Sequence, residues 1–257
     1  MIDLHTHSAA SDGHLSPADL IAYAQEKGLQ AIALTDHDTV EGLDAALKAG
    51  RDLGLEVIPG IEISAVHPGG TMHILGYFID HTEREFLDKI EVLQLARKER
   101  NPKIIQKLQA LGIDITMKEV EEEAGSGQVG RPHFAKVLYY KGHVKNTRSA
   151  FKKYLKQGAC AYVDKFRFQP EEAIELIRNA GGIPVLAHPS TLNCKKKTDL
   201  EELVAGLVDI GLMGLEVYYP DHKKEQVEFY TSLAAAHSLR MTGGSDFHGK
   251  QLNGIDL

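Results

Sequence analysis

The chain has few of the features that mark secreted or membrane proteins. Only two cysteines occur among its 257 residues, and tryptophan is absent. Two cysteines so far apart provide no disulfide framework, so we expect Cys160 and Cys194 to be reduced thiols in a cytoplasmic protein. No apolar run approaches the ~18 residues that a membrane span requires. A cleaved signal peptide is not expected either, because its removal would take away the histidines that begin at His5.

Positive charge is also scarce. The chain has 29 Lys and Arg residues against 36 Asp and Glu residues, which gives a formal net charge of −7. A protein that coats nucleic acid would be basic, so we expect no stable binding of duplex nucleic acid. The 13 histidines are more informative than the net charge, because histidine is the commonest metal ligand in proteins.

Strand and helix patterns alternate in the first and last parts of the chain. Ser16, Pro17 and Gly28 have the spacing of an N-cap, a first helical residue and a helix stop. Seven apolar segments predict β-strands. Their centres are Ile2, Ala31, Val57, Ile74, Ile183, Leu215 and Met241. This alternation predicts an α/β fold with a parallel sheet or a barrel.

The middle of the chain has helical patterns only. Helices are predicted over 84–111, 117–124, 132–141 and 147–157. We therefore expect a discontinuous barrel of residues 1–83 and 159–257, with a helical insertion, 84–158, that caps the active-site mouth. The stretch 141–168 holds six Lys, two Arg and one Asp. It is either a solvated helix surface or a cap that attracts an anionic substrate.

Histidine and carboxylate side chains follow five of the predicted strands. These residues are His5 and His7, then Asp36, His37 and Asp38, then Glu62, then His188, and finally Asp246 and His248. In α/β barrels the C-terminal ends of the strands meet at one mouth, so the pattern predicts a metal site there. A mixture of imidazole and carboxylate suits Zn, Mn or Fe better than Ca or Mg. His73 begins its apolar run instead of ending it, so we expect that strand either to run in a different direction or to bend at Gly69-Gly70.

Five segments give this pattern a family resemblance. DLHTHSAASDG, ALTDHDTVEG, PGIEIS, LAHP and GGSDFHG, in this order, resemble the signatures of the PHP (polymerase and histidinol phosphatase) metal-dependent phosphoesterases. The resemblance covers roughly residues 1–80 and 168–257 and implies a distorted (β/α)7 barrel, which agrees with the seven predicted strands. GRPHFAKVL and GHVKNTRSAFKKYL resemble the branch that acts on nucleoside 3′,5′-bisphosphates or trims short RNA from its 5′ end.

The resemblance implies a trinuclear centre that holds two or three divalent ions, with Mn, Fe and Zn all suitable. His5, His7, Glu62 and Asp246 would bind the first ion, Glu62, His73 and His188 the second, and Asp12, His37 and His248 the third. Glu62 would therefore bridge two ions. His14 lies outside this pattern and is expected to be a surface or outer-shell residue.

Phosphoester hydrolysis suits such a centre, because cations acidify bound water and offset the charge on phosphoryl oxygens. Our hypothesis is attack by metal-activated hydroxide held between the first two ions. Asp246 is expected to accept the proton of this water. Asp36 and His188 are the two options for the proton donor to the leaving group.

Four residues of the insertion are expected to bind substrate. Arg131 and His133 stand at a predicted helix start, which suits a phosphate. Arg97 and Arg100 lie three apart on the preceding helix, so they share one face and are either substrate contacts or surface ion-pair residues. Glu216 also faces the mouth and is expected to lie outside the ligand set.

The expected partner is a nucleotide or a short oligonucleotide, with no membrane partner and an open oligomeric state. One alternative is a non-catalytic PHP module that uses metals as a scaffold or binds nucleic-acid ends. Another is a histidinol-phosphate phosphatase or an amidohydrolase. The complete ligand set and the basic insertion favour the nucleotide phosphoesterase.

Overall fold

A computed structural model describes residues 1–249 and 255–257. Within these ranges the strands are β1 (Ile2–Thr6), β2 (Ala31–Leu34), β3 (Glu56–Ala65), β4 (Met72–Tyr77), β5 (Ile183–Leu186), β6 (Gly214–Tyr218) and β7 (Arg240–Gly243). They form one seven-stranded sheet in sequence order. A further bridge joins Thr6 to Phe247, so the sheet nearly closes into a barrel. The predicted α/β barrel with seven strands is confirmed.

Helices cover the outside of this barrel and form the insertion. They are α1 (Pro17–Glu26), α2 (Leu43–Leu53), α3 (Arg84–Ala110), α4 (Met117–Ala124), α5 (Arg131–Tyr140), α6 (Thr147–Ala150), α7 (Pro170–Asn179), α8 (Lys197–Asp209) and α9 (Lys224–Ala236). Ser16 caps α1 by accepting a hydrogen bond from the Asp19 amide. The predicted helix over 147–157 is instead α6 followed by a π-helical turn, Phe151–Leu155. None of the described helices is both long and apolar enough to cross a membrane.

The third and fourth strands depart from a simple parallel barrel. The first part of β3 pairs with β2 in parallel, from Glu56 to Pro59. The second part, from Gly60 onwards, pairs with β4 in antiparallel register. Glu62 therefore lies inside a long strand instead of after a short one. Because β4 runs in the opposite direction, its first residues, including His73, lie at the same end of the barrel as the last residues of β3. The predicted difference in strand direction is confirmed.

The described residues form three buried apolar clusters, and the two largest lie in the barrel with its helices and in the insertion. The main core packs the barrel against its helices and includes Phe86 and Ile90 from the first half of α3. A second cluster includes Ile104 and Leu108 from the other half of α3, together with Phe134 of α5. The long α3 therefore joins the barrel to the insertion and contributes to both cores.

The segment after β7 covers the edge of the barrel next to β1. Phe247 is buried, and its ring stacks on Tyr23 of α1 with a centroid distance of 5.8 Å. Farther along, the Asp256 carboxylate accepts hydrogen bonds from the Tyr23 hydroxyl, at 2.6 Å, and from Lys27, at 2.7 Å.

Candidate metal centre

The structure brings all nine predicted metal ligands together at one end of the barrel. They form four overlapping groups in which potential donor atoms lie within 4.8 Å of one another. The groups are His5, His7 and Asp246; His5, Glu62 and His188; His37, Glu62 and His73; and His7, Asp12, His37 and His248. The residues come from the ends of β1, β2, β5 and β7, from inside β3 and from the start of β4. The assignment of each ligand to a particular ion stays a prediction.

The Glu62 carboxylate is at the centre of this cluster. Its Oε1 lies 2.6 Å from His73 Nδ1 and 2.9 Å from His188 Nε2. Its Oε2 lies 2.8 Å from His37 Nδ1 and 3.4 Å from His5 Nε2. One carboxylate thus faces donors from both sides, the arrangement needed to bridge two cations.

Asp246 and Asp12 complete the cluster on its two sides. Asp246 Oδ1 lies 3.1 Å from His7 Nε2 and 3.4 Å from His5 Nε2. Asp12 Oδ1 lies 3.3 Å from His248 Nε2. Asp246 has a backbone φ of +53°, a conformation that Asp tolerates better than most residues. This turn of the chain places Asp246 and His248 against ligands from the start of the sequence.

A second layer of polar residues orients the ligands. Glu216 Oε1 lies 2.9 Å from His5 Nδ1, and its Oε2 accepts a hydrogen bond of 2.6 Å from the His188 amide. With Nδ1 protonated, His5 presents Nε2 as a metal ligand. The Tyr219 hydroxyl donates to Asp246 Oδ2 at 2.9 Å. These contacts agree with an outer-shell role for Glu216, and they give Tyr219 a role that the sequence pattern did not predict.

Buried atoms without hydrogen-bond partners show that the cluster fits a cation. Among the described residues, His5 Nε2, His7 Nε2, His37 Nδ1 and Glu62 Oε2 are buried, and although they lie close to one another they form no hydrogen bond of good geometry. A buried polar atom without a partner is costly and needs an explanation. These atoms converge on one another, so divalent cations between them would provide their missing partners.

The charges in the cluster are strongly coupled. Burial disfavours a charge on His7, but Asp246 and Glu62 outweigh this effect and raise its pKa to about 10. Burial also disfavours ionised Glu62, yet His37 and His73 hold its pKa well below the ordinary value. In the metal-free protein, a proton on His7 therefore takes the place of some of the positive charge that cations would bring.

We predict that metal binding releases protons at neutral pH. His7, with a pKa near 10, is protonated at pH 7 in the metal-free protein, whereas a ligating imidazole is neutral. Metal affinity should consequently rise with pH between 6 and 9, by about tenfold per unit for each proton released. Calorimetric titration with Mn²⁺ in two buffers of different ionisation enthalpy measures this release. An identical apparent enthalpy in both buffers would contradict the prediction.

A cavity of about 510 Å³ opens onto the cluster through Asp12, His37, His73 and His248. Six cationic side chains line it: Arg97, Arg100, Arg131, Lys156, Lys165 and Arg167. Burial lowers the pKa of Lys165 to about 7, despite the opposing charge of Asp38. Burial is also the main cause of a lowered pKa of Arg100, and Arg97 and Arg131 lower it further. Such desolvated and mutually repelling cations favour an anionic occupant of the cavity.

Three of the four predicted substrate residues line this cavity, and the fourth has a different contact. His133 is buried, and its Nδ1 accepts a hydrogen bond of 2.9 Å from the Gly130 amide at the start of α5. Lys165 and Arg167 belong to the basic stretch noted in the sequence, but their individual positions could not be predicted from it. They lie in an irregular segment without a periodic pattern, so only the tertiary structure shows which side they face.

A comparison with known protein families shows the family to which this chain belongs. The PHP domain profile matches residues 3–231 of this chain. The chain belongs to the PHP family. The match spans most of the barrel and the whole insertion, and it includes seven of the nine predicted ligand positions, all but Asp246 and His248.

Individual relatives of this PHP protein act on phosphate esters. A 5′-3′ exoribonuclease of Haemophilus influenzae is 36% identical over 99% of this chain and 95% of its own length. A 3′,5′-nucleoside bisphosphate phosphatase of Chromobacterium violaceum is 34% identical over 100% of this chain and 90% of its own. The structure of an amidohydrolase from Chromobacterium violaceum with bound SO4 matches with a TM-score of 0.91 and 32% identity, covering 100% of this chain and 91% of that chain. The protein is a metal-dependent PHP phosphoesterase, a hydrolase of phosphate esters.

Proposed function

We propose that this enzyme hydrolyses phosphate esters of nucleotides. Its proposed substrates are nucleoside 3′,5′-bisphosphates, which would lose the 3′-phosphate, and short 5′-phosphorylated RNA. The observation that carries the proposal is the direct opening of a cavity lined by six cationic side chains onto the ligand cluster. One phosphate at the cluster and a second anionic group among the cations would match this arrangement. The names of the relatives support the same substrate class.

The metal cluster and the cationic cavity have different proposed roles. Divalent cations, when bound by the cluster, supply Lewis-acid stabilisation of phosphoryl charge and lower the pKa of water. Asp246 is proposed as the acceptor of the proton from the attacking water, with its Oδ2 oriented by the Tyr219 hydroxyl. Arg100 and Arg131 bind and orient the second anionic group, since a guanidinium pairs well with phosphate oxygens.

The contacts of Asp36 and His188 favour positioning over proton donation. Asp36 accepts hydrogen bonds from the Ser8 amide and hydroxyl, at 2.8 and 2.6 Å, and from the Ser11 hydroxyl, at 2.6 Å. These bonds hold the loop that carries Asp12. Both ring nitrogens of His188 have close partners, since Nδ1 lies 2.9 Å from Thr191 Oγ1 and Nε2 lies 2.9 Å from Glu62.

The proposal is tested by phosphate release from a substrate panel with Mn²⁺, Zn²⁺ or Mg²⁺. The panel contains adenosine 3′,5′-bisphosphate, adenosine 3′-monophosphate, a short 5′-phosphorylated RNA and histidinol phosphate. We expect the bisphosphate or the RNA to be hydrolysed with the highest kcat/KM. A preference for histidinol phosphate would refute the nucleotide assignment. Binding without turnover with any of the metals would favour the non-catalytic scaffold.

We also propose a cytoplasmic location for the enzyme. The proposed nucleotide substrates and the two free cysteines support this location.

A further inference from the structure

Asp38 stands beside a predicted metal ligand but contacts different partners. Its neighbour His37 reaches Glu62 in the metal cluster. Asp38 itself is fully buried and has a backbone φ of +52°. The main chain at this point is held by the Asp38 amide, which donates to the Glu62 carbonyl at 3.0 Å. Two consecutive side chains at the end of β2 therefore serve two separate regions of the site.

One oxygen of Asp38 holds cations from both ends of the insertion. Asp38 Oδ2 accepts hydrogen bonds from Arg97 Nη2 at 2.6 Å and from Arg97 Nε at 3.0 Å. The same oxygen accepts a bond of 3.1 Å from Lys165 Nζ. Arg97 belongs to α3, on the way into the insertion, and Lys165 lies on the way back to the barrel. Both cations line the cavity beside the metal cluster.

The Asp38 carboxylate is also held by hydrogen bonds from a barrel strand. Asp38 Oδ1 accepts a hydrogen bond of 2.7 Å from the Ser64 amide, and the Ser64 hydroxyl donates to Oδ2 at 2.9 Å. Ser64 is part of β3, the strand that also carries Glu62. The cations are thus held in a fixed relation to the cluster. Two cationic side chains share this one carboxylate, so Asp38 does not neutralise both of them when Lys165 is protonated.

We infer that Asp38 is a positioning residue that sets Arg97 and Lys165 at a fixed place relative to the metal cluster, so that the enzyme selects substrates with a second anionic group. Asp38 does not touch substrate in this scheme and acts only through the two cations. The inference rests on the proposed function, because it assigns the second anionic group of that substrate class to the wall that Asp38 organises.

The test compares two substrates that differ only in the second phosphate. Asp38→Asn keeps the shape of the side chain and removes its charge. For adenosine 3′,5′-bisphosphate we expect KM to rise about 10- to 100-fold, as for loss of hydrogen bonds to a charged group, with kcat nearly unchanged. For adenosine 3′-monophosphate both constants should stay within about threefold of wild type, since this ester has no group at the Asp38-organised wall. Metal content should not change.

Glu123→Gln is a matched control. Glu123 Oε1 pairs with the buried Lys136 at 3.3 Å inside the insertion, away from the cavity lining. The Glu123→Gln substitution removes a carboxylate–cation pair of the same kind. The ratio of the KM values for the two substrates should remain at the wild-type value. Equal losses on both substrates, loss of bound metal, or an unchanged KM for the bisphosphate in Asp38→Asn would overturn the inference.

Two further measurements keep the inference testable. If Asp38→Asn does not fold, Ser64→Ala removes one hydrogen bond to Asp38 Oδ2 and should raise the bisphosphate KM about threefold without affecting the monophosphate. If the wild-type enzyme with bound metal hydrolyses neither compound, the proposed function fails. The same compounds then serve as ligands, and their calorimetric Kd values replace KM. Equal affinity of wild type and Asp38→Asn for the bisphosphate would then overturn the role of Asp38 separately.

Discussion

Replacing Asp246 by Asn is expected to remove nearly all turnover while the protein stays folded. The carboxylate lies 3.1 Å from His7 Nε2 and 3.4 Å from His5 Nε2, so it shares the charge of this part of the cluster. Asn retains the shape and the acceptor for Tyr219 but has no charge for a cation and no basicity for a proton. We expect kcat to fall at least about 1,000-fold, more than the roughly 10- to 100-fold typical of outer-shell partners. His7→Ala should behave in the same way.

Steady-state kinetics with saturating Mn²⁺, together with metal analysis and circular dichroism, measure this effect. The control is Asp52→Asn, which removes an exposed carboxylate of α2 far from the cluster in the fold and should keep wild-type kcat. If Asp246→Asn retained full activity with its metal bound, Asp246 would be neither a ligand nor the proton acceptor.

Removing the metals with a chelator should abolish activity and also lower thermal stability. Only the folded protein assembles the complete ligand cluster. Bound cations therefore stabilise the folded state relative to the unfolded state. At a free metal concentration of 100 times Kd, one site contributes about 2.7 kcal/mol to the free energy of unfolding. For a chain of this size that corresponds to a fall in Tm of roughly 5–10 °C on chelation.

Differential scanning calorimetry of the same sample before chelation, after chelation and after Mn²⁺ is restored measures the change. Activity and Tm should return together. The Asp246→Asn variant provides a second comparison, since its Tm should respond less to the chelator than that of wild type. Full turnover by protein without detectable metal would refute the dependence on metal.

The sequence predicted the architecture and the cluster because both depend on strand ends. Apolar segments locate strands, and parallel strands of a barrel bring their C-terminal ends together, so His5, Glu62, His188 and Asp246 could be placed at one mouth without coordinates. His73 was recognised as an exception because it begins its strand. The sequence does not show why this strand differs. The reason is that β3 pairs with β2 along its first part and with the antiparallel β4 along its second part.

The residues around the cluster were harder to predict because their partners are distant in the sequence. Asp38 looked like one more strand-end carboxylate, and its pairing with Arg97 and Lys165 depends on how the insertion folds back. Tyr219 had no pattern that pointed to Asp246. Substrate binding by His133 stays a prediction, and the hydrogen bond that its ring accepts from the backbone of its own helix start was not predicted. Local patterns predict positions on elements, and they do not predict contacts between loops.

Closure of the barrel has a consequence for the biosynthesis of the enzyme. Thr6 pairs with Phe247, and His5 and His7 lie against Asp246, so the start of the protein is completed by its last part. At translation rates of about 5–20 residues per second, the nascent N-terminal strand waits on the order of tens of seconds for these partners. The complete cluster therefore forms only after Asp246 and His248 have left the ribosome. Until then the growing chain carries no complete hydrolytic centre beside the ribosomal RNA.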